Sequence, residues 1–285
     1  MFKSVGIVAR YDKTPALTLA DELCAHLTAK GLQVCFEDTL KGKVKAKGKL
    51  VPLADMKTDF VIAIGGDGTI LRTCLQLPKP EPPILAVNMG VRGFLTEVGP
   101  NDACAAVDKI LGGDFEVEKC SKLAAATNGE PTPDALNDVV ISGGEPSKIV
   151  YLQIFKNGQP IQQLEADGVI IATQTGSTGY SLSAGGPVLD PSVDALIVTP
   201  ICSLTTVRSM VFPADSKIII QPVRKKELLI LVDGNYRRKL PAKNANVTVE
   251  RSKNVTSFIR FKHDFYARLE GRLMFKGCPT ERDAK

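Results

Sequence analysis

Histidine is nearly absent from this sequence, with only His26 and His263 in 285 residues. Chemistry built on a histidine base is poorly supplied, and a zinc centre has few ligands to draw on. The seven cysteines stand at positions 24, 35, 74, 104, 120, 202 and 278. They form no C-x-x-C pair and no Cys/His cluster, so they read as buried thiols of a reducing compartment. No run approaches the roughly 20 apolar residues needed to cross a bilayer. The segment Met1 to Arg10 enters a strand-like stretch without the regions of a secretory signal. These absences lead us to expect a soluble, cytoplasmic protein without a membrane partner. Excess charge is small, since 36 basic and 31 acidic residues leave a net +5. The densest basic patch, Lys41 to Lys49 (KGKVKAKGK), has no aromatic residue between its lysines. That argues against a nucleic-acid surface and for a mobile, solvated loop.

What is present divides in two. In the first hundred residues, short apolar runs (Ser4 to Ala9, Leu32 to Phe36, Asp59 to Ile64, Ile84 to Val87) alternate with helical patterns. Leu19, Leu23 and Leu27 recur every four residues ahead of Gly31, and further helices are expected over Thr69 to Leu77 and Asp102 to Leu111. Such alternation predicts a mostly parallel sheet with helices on both sides. Beyond about residue 115 helical periodicity fades. Short strand-like runs follow at Val139 to Ser142, Ile149 to Lys156, Gly168 to Thr173, Leu196 to Thr199, Lys217 to Gln221, Leu228 to Val232 and Val247 to Val249. Turn signals such as Asn157-Gly158 and Asp233-Gly234 separate them. The expected architecture is an α/β N-terminal domain (1–114), a β-rich domain (115–257), and an amphipathic tail (258–285) packing back on the first. Gly112-Gly113 is the expected hinge.

Four segments carry chemistry. Gly65-Gly66-Asp67-Gly68-Thr69 stands where a buried strand meets a helix, the carboxyl edge where open parallel sheets bind ligands. Its glycines let N–H groups approach an anion, and the helix N-terminus adds positive potential. Thr69 is placed to cap the helix and to bond a phosphate oxygen. Asp67 conflicts with an anion site unless it binds a cation or takes a proton from an attacking hydroxyl. No Gly-Lys-Ser/Thr follows, so this is not a Walker A loop. A second glycine turn, Asn88 to Phe94, contains Arg92 as a further phosphate candidate. Asn137-Asp138 heads the run VVIS and reads either as a turn or as a pair for vicinal ribose hydroxyls. Asp167 to Pro187 is a strand running into a loop dense in glycine and hydroxyls, with Tyr180 able to stack, which suits a nucleotide.

In order and spacing these segments resemble the NAD kinase family. GGDGT at 65–69 is similar to its phosphate-donor motif, NMGVRGFL at 88–95 to its second glycine turn, ALND at 135–138 to its Asn-Glu pair, and DGVIIATQTGSTGYSLSAGGP at 167–187 to its long signature loop. The resemblance implies transfer of the γ-phosphoryl of ATP to the adenosine ribose 2′-hydroxyl of NAD, with Mg²⁺ or another divalent cation, by a homodimer or homotetramer. Carried over by position, Asp67 assists deprotonation of the 2′-hydroxyl. Gly65, Gly66, Gly68, Thr69 and Arg72 hold donor phosphates. Gly68, Phe94, Asn137, Asp138, Thr175, Thr178, Tyr180 and Ser183 belong to the NAD site, and Asp233 is a further candidate for the same cleft. Asp167, in the same subunit or reaching from a neighbour, faces the nicotinamide side. Asp138 stands where the family has Glu, Gln174 where it commonly has Pro, and Gly179 where it has Ala. Pro200 to Leu204 also lacks the usual Pro-His after the cysteine. NAD or NADH as acceptor, and ATP or polyphosphate as donor, stay open. The competing readings are a kinase of another polar acceptor or of a lipid, and a dinucleotide sensor without turnover.

Overall fold

The computed structural model describes residues 2–90, 93–144, 149–204, 206–242, 245–262 and 264–273, residues 272 and 273 by backbone alone. The chain forms two compact units. Among the described residues, one comprises those up to Thr73, Pro82–Glu118 and those from Ser257; the other comprises Cys74–Glu81 and Lys119–Thr256.

The first unit contains β1 (Ser4–Ala9), α1 (Thr14–Ala29), β2 (Gln33–Glu37), β3 (Lys49–Val51), β4 (Phe60–Gly65), the start of α2 (Asp67–Gln76), β5 (Ile84–Asn88) and α3 (Ala103–Gly112). The strands form a parallel sheet in the order β5-β4-β1-β2-β3. Residues 60–64 are buried and apolar throughout, as a strand covered on both faces requires. Helix α1 buries Ala16, Leu19, Ala20, Leu23, Cys24 and Leu27, the i, i+3, i+4 stripe, and packs with α3 on one sheet face. Gly31 ends α1 with φ +83°, while the Leu32 amide donates to Leu27 O at 3.1 Å. Gly113, φ +81°, is the left-handed C-cap of α3.

The lysine segment is folded, contrary to the expectation of a mobile loop. The Asp21 carboxylate accepts the Lys45 and Ala46 amides at 2.8 and 2.7 Å, and Val44 and Ala46 pack on the core. The alternating lysines face outward, so a pattern that reads as solvated in sequence is one side of an anchored extended segment.

The second unit contains β6 (Glu116–Thr127), β7 (Glu130–Pro131), β8 (Asp138–Gly143), β9 (Val150–Lys156), β10 (Gln159–Ala166), β11 (Gly168–Thr173), α4 (Tyr180–Ser183), β12 (Ala195–Ile201), β13 (Met210–Pro213), β14 (Ile218–Pro222), β15 (Leu228–Val232), β16 (Tyr236–Leu240) and most of β17 (Val247–Arg260). A six-stranded antiparallel sheet runs β13-β12-β11-β8-β15-β16, and a second runs β10-β9-β14-β17 with β6 alongside β17. Val139, Ile141, Val169 and Ile171 of the first sheet share one core with Leu152, Ile154, Ile218 and Val247 of the second. The other face of the six-stranded sheet is also covered: Val140, Ile170, Ala172 and Ile197 pack with Leu189. Burial on both faces explains why β8 and β11 read as unbroken apolar runs.

The sequence pattern misses β6 and β10, whose charged and amide side chains dilute the apolar alternation. It sees only the first three residues of the 14-residue β17. The amphipathic tail therefore starts as the end of a strand and becomes helical in α5 (Phe265–Leu273), which packs Phe265 edge-on against Phe94 within the first unit. His263, Cys278 and the tail beyond 273 lie outside the described residues.

Candidate active site

The strand order of the first unit reverses at β1, with β2 and β3 on one side and β4 and β5 on the other. The carboxyl ends of β1 and β4 thus flank the crevice where a parallel sheet binds its ligand. The Arg10 amide donates to Ile64 O at 2.9 Å, so the chain leaving β1 runs beside the glycine loop. Helix α2 begins at Asp67, and Gly66 O accepts the Thr69 and Ile70 amides at 2.9 and 3.2 Å. Gly66 is therefore the capping residue, and Thr69, expected there, lies inside the first turn. Its side chain folds back on Gly65, where a Cβ would stand 2.4 Å from Thr69 Oγ1. Gly66 and Gly68 differ: a Cβ on either meets nothing within 4 Å, and neither has the positive φ that demands glycine. Neither internal packing nor backbone conformation requires glycine there, so the loop presents open space at the start of α2.

Asp67 ties this loop to the second glycine turn. Its Oδ1 accepts the Phe94 and Leu95 amides, both at 3.1 Å, and Oδ2 lies 3.2 Å from the Phe94 nitrogen. Gly65 O accepts the Met89 amide at 3.0 Å, a second tie between the same segments. The Phe94 ring is buried against Phe265 at 5.3 Å between centroids. Arg72 pairs through both nitrogens with buried Glu37, the second bond measuring 2.8 Å. Arg92 lies outside the described residues.

In the second unit Asn137 and Asp138 enter β8 between β11 and β15. Asp233 organises them from the tip of the β15–β16 hairpin, where it and Gly234 adopt φ of +47° and +66°. Its Oδ2 accepts the Leu136 amide at 2.7 Å, and its Oδ1 accepts those of Asn137 and Asp138 at 2.8 and 3.0 Å. Thr173, ending β11, donates its hydroxyl to Leu136 O at 2.6 Å and accepts the Gly176 amide at 2.9 Å. Gly176 packs so closely that a Cβ would lie 2.0 Å from Asn137 O. A Cβ on Gly179 would stand 3.3 Å from Asn137 Nδ2 and 3.8 Å from Asp138 Oδ2, so both side chains face this loop.

The electrostatics follow from burial. Asp138 is 6% exposed, and desolvation together with the neighbouring Asp233 charge pushes its carboxyl up to about 7. Asp233 is also raised by burial, opposed by the three amides it holds and by the Lys122 ammonium. Asn137 Oδ1 is buried and has no hydrogen-bond partner among the described residues.

Thr175 begins a 3₁₀ turn whose last residue, Thr178, is buried and donates its hydroxyl to Thr175 O at 3.2 Å. Tyr180 opens α4 with 47% of its surface exposed, and Ser183 faces outward from the same turn. The inward serine is Ser181, bonded to Thr199 at 2.9 Å. Within the unit, then, Asn137, Asp138, Thr175 and Thr178 converge at one end of β11. Asp167 does not join them. It precedes β11, six residues from Thr173 along an extended strand, which places the two roughly 20 Å apart.

Sequence reasoning underrated Asp233, whose Val-Asp-Gly context signals a hairpin turn and hides the carboxylate's reach to residues nearly a hundred positions away. It missed a buried cluster in the same unit altogether. There Glu81 accepts from Lys122 at 2.7 Å and from the Thr256 hydroxyl at 2.6 Å, and Lys122 also donates to Cys74 O at 2.9 Å. No local pattern marks residues so far apart in sequence.

Comparison with known proteins matches the two parts of the chain separately. Residues 5–115 match the ATP-NAD kinase N-terminal domain and residues 136–261 the ATP-NAD kinase C-terminal domain. The NAD kinase of Pyrococcus furiosus is 41% identical over 265 residues, covering 92% of this chain and 95% of that protein. The crystal structure of an NAD kinase from Archaeoglobus fulgidus in complex with ATP superposes with a TM-score of 0.77 at 25% identity, covering 94% of this chain and 99% of that one. Yeast NADH kinase complexed with NADH shares the fold, with a TM-score of 0.85 at 23% identity over 98% of this chain and 90% of that one. With both domain types matched along most of its length, and with the glycine loop at the sheet's switch point, the chain belongs to the NAD kinase family.

Proposed function

We infer that this chain is an NAD kinase that transfers the γ-phosphoryl of ATP to the adenosine ribose 2′-hydroxyl of NAD, giving NADP and ADP. The observation that carries this reading is the glycine loop. Gly66 and Gly68 face open space at a helix N-terminus on the carboxyl edge of a parallel sheet, with a carboxylate between them.

Backbone amides at the start of α2 cradle the donor phosphates, with Gly65, Gly66, Gly68 and Thr69 forming the turn. The 2′-oxygen forms a bond to the γ-phosphorus as the bond from that phosphorus to the β–γ bridging oxygen breaks, and ADP carries the electron pair away. The hydroxyl proton passes to the Asp67 carboxylate, which the Phe94 and Leu95 amides hold in a fixed orientation. The protein's contribution is mainly positioning and charge neutralisation. Asn137 and Asp138 bind the adenosine portion of NAD, and the unpartnered Asn137 Oδ1 is an acceptor waiting for a ligand donor. Thr175, Thr178, Tyr180 and Ser183 line the same end. Arg72 orders the turn through Glu37.

No group of three His, Cys, Asp or Glu side chains able to hold a metal occurs among the described residues. A Mg²⁺ would therefore arrive with the triphosphate, held by phosphate oxygens and water rather than by a protein cage, which leaves the Asp67 carboxylate to take the proton. When bound, the ion neutralises phosphate charge. The distance of Asp167 from the Asn137 end supports a homo-oligomer in which Asp167 serves the neighbouring subunit's NAD. The six described cysteines are free thiols, in keeping with a cytoplasmic setting, and no described helix is long and apolar enough to cross a membrane.

The test is a coupled assay with Mg²⁺-ATP and NAD, reading NADP with an NADP-specific dehydrogenase. We expect NADP from the wild type and a loss of about 10²–10⁴ in kcat for Asp67→Asn with the fold retained. NAD binding without any NADP would replace the kinase by a sensor.

A further inference from the structure

The switch-point crevice has two walls, and the glycine loop is only one of them. The other is the chain leaving β1, Arg10 to Lys13. Strand β1 pairs with β4 up to Ala9↔Ile64 and the Arg10 amide reaches Ile64 O at 2.9 Å, so Tyr11, in the turn closed by the Lys13 amide on Arg10 O at 3.3 Å, leaves the sheet at the same carboxyl edge as the glycine loop. Tyr11 is 50% exposed, so its ring is open to solvent. Lys43 Nζ lies 4.9 Å from its ring centroid, and the Arg72 guanidinium, on the helix that starts at Asp67, is within electrostatic reach of its hydroxyl. Asp12, the next residue, is paired with Arg10 at 2.8 Å.

Lys43 does not reach this position by chance of a loose loop. Its amide donates to Leu40 O at 3.0 Å, Leu40 is fully buried, and Asp21 grips the backbone two and three residues on. An exposed ring and a cation on an anchored segment thus stand together at the sheet edge that carries the turn expected to take phosphates. Together they suit a ligand with a flat apolar end and an anionic end.

Resting on the NAD kinase reading, we propose that Tyr11 and Lys43 form the outer half of the donor site. The Tyr11 ring is the platform for the nucleoside of ATP, and the Lys43 ammonium swings from that ring onto its phosphates. Both side chains are exposed, so their truncation leaves the core untouched.

The experiment compares Tyr11→Ala, Tyr11→Phe and Lys43→Ala in the full-length chain, each checked for an unchanged melting curve. Tyr11→Ala is expected to raise KM for ATP about tenfold while KM for NAD stays within twofold, and Tyr11→Phe to recover it. Inorganic tripolyphosphate, which has no base, is then used as a competitor of ATP. Its inhibition constant should rise in Lys43→Ala and stay put in Tyr11→Ala. A KM for ATP within twofold of wild type in Tyr11→Ala overturns the platform, and equal weakening of tripolyphosphate by both variants overturns the division of roles. If the wild type makes no NADP, the kinase reading fails by itself. Calorimetric binding of ATP to the same variants then decides the proposal, equal affinity for wild type and Tyr11→Ala counting against it.

Discussion

Both glycine-rich loops of this protein follow a buried strand, yet glycine serves opposite ends in them. After β4, Gly66 and Gly68 have empty space where a side chain would stand; after β11, a Cβ on Gly176 would lie 2.0 Å from Asn137 O, and one on Gly186 2.3 Å from Ser181 Oγ. The first loop keeps room for something outside the chain. The second uses its glycines to bring its own backbone against Asn137. The carboxylates divide in a parallel way. Asp67 is half-buried at the crevice and holds two amides; Asp233 is buried and holds three, acting on the site only through Asn137 and Asp138. A motif's composition therefore does not say whether its residues meet the ligand or shape those that do.

That contrast can be broken by substitution. Gly176→Ala forces a methyl into a backbone carbonyl, so a thermal melt should show a loss of about 3 kcal/mol or more. A wild-type melting temperature would mean that the β11 loop is looser than its packing implies. A smaller effect is expected from Asp138→Asn. The folded carboxyl holds its proton up to about 7, whereas the unfolded one releases it near the usual aspartate value. The proton's stabilisation is thus full below about pH 4 and lost as pH rises through 7. Relative to wild type, Asp138→Asn should gain roughly 1–3 kcal/mol between pH 4.5 and pH 8.5 in paired denaturant titrations. A flat difference would place the Asp138 carboxylate in water. The smallest change is Gly68→Ala. Its site is open and helical, so stability should hold or rise by up to about 1 kcal/mol, while KM for ATP rises about tenfold, read in the same coupled assay. A destabilised but fully active Gly68→Ala would erase the distinction between the two loops.

Much of this was legible beforehand. The GGDGT turn, the Asn137-Asp138 pair and the Asp167 to Pro187 segment stand out because glycine, hydroxyl and carboxylate residues are out of place beside buried apolar runs. Local pattern was weakest where neighbours in space are distant in the chain. The lysine segment looked loose because Asp21, which anchors it, is some 25 residues away. Thr69 looked like a cap, but the folded turn moves the helix start back to Asp67.

The sequence by itself determined the alternation of strands and helices, the change to β structure after about residue 115, and the family, since all three are written in short-range periodicity and contiguous motifs. Only the tertiary structure decided which carboxylate points where: Asp67 onto the 94–95 amides and Asp233 onto those of 136–138. Tyr11 at the sheet edge that carries the glycine loop is likewise a product of strand order. Contacts of this kind come from the register of strands far apart along the chain, and register is fixed by how whole faces are buried rather than by any one segment.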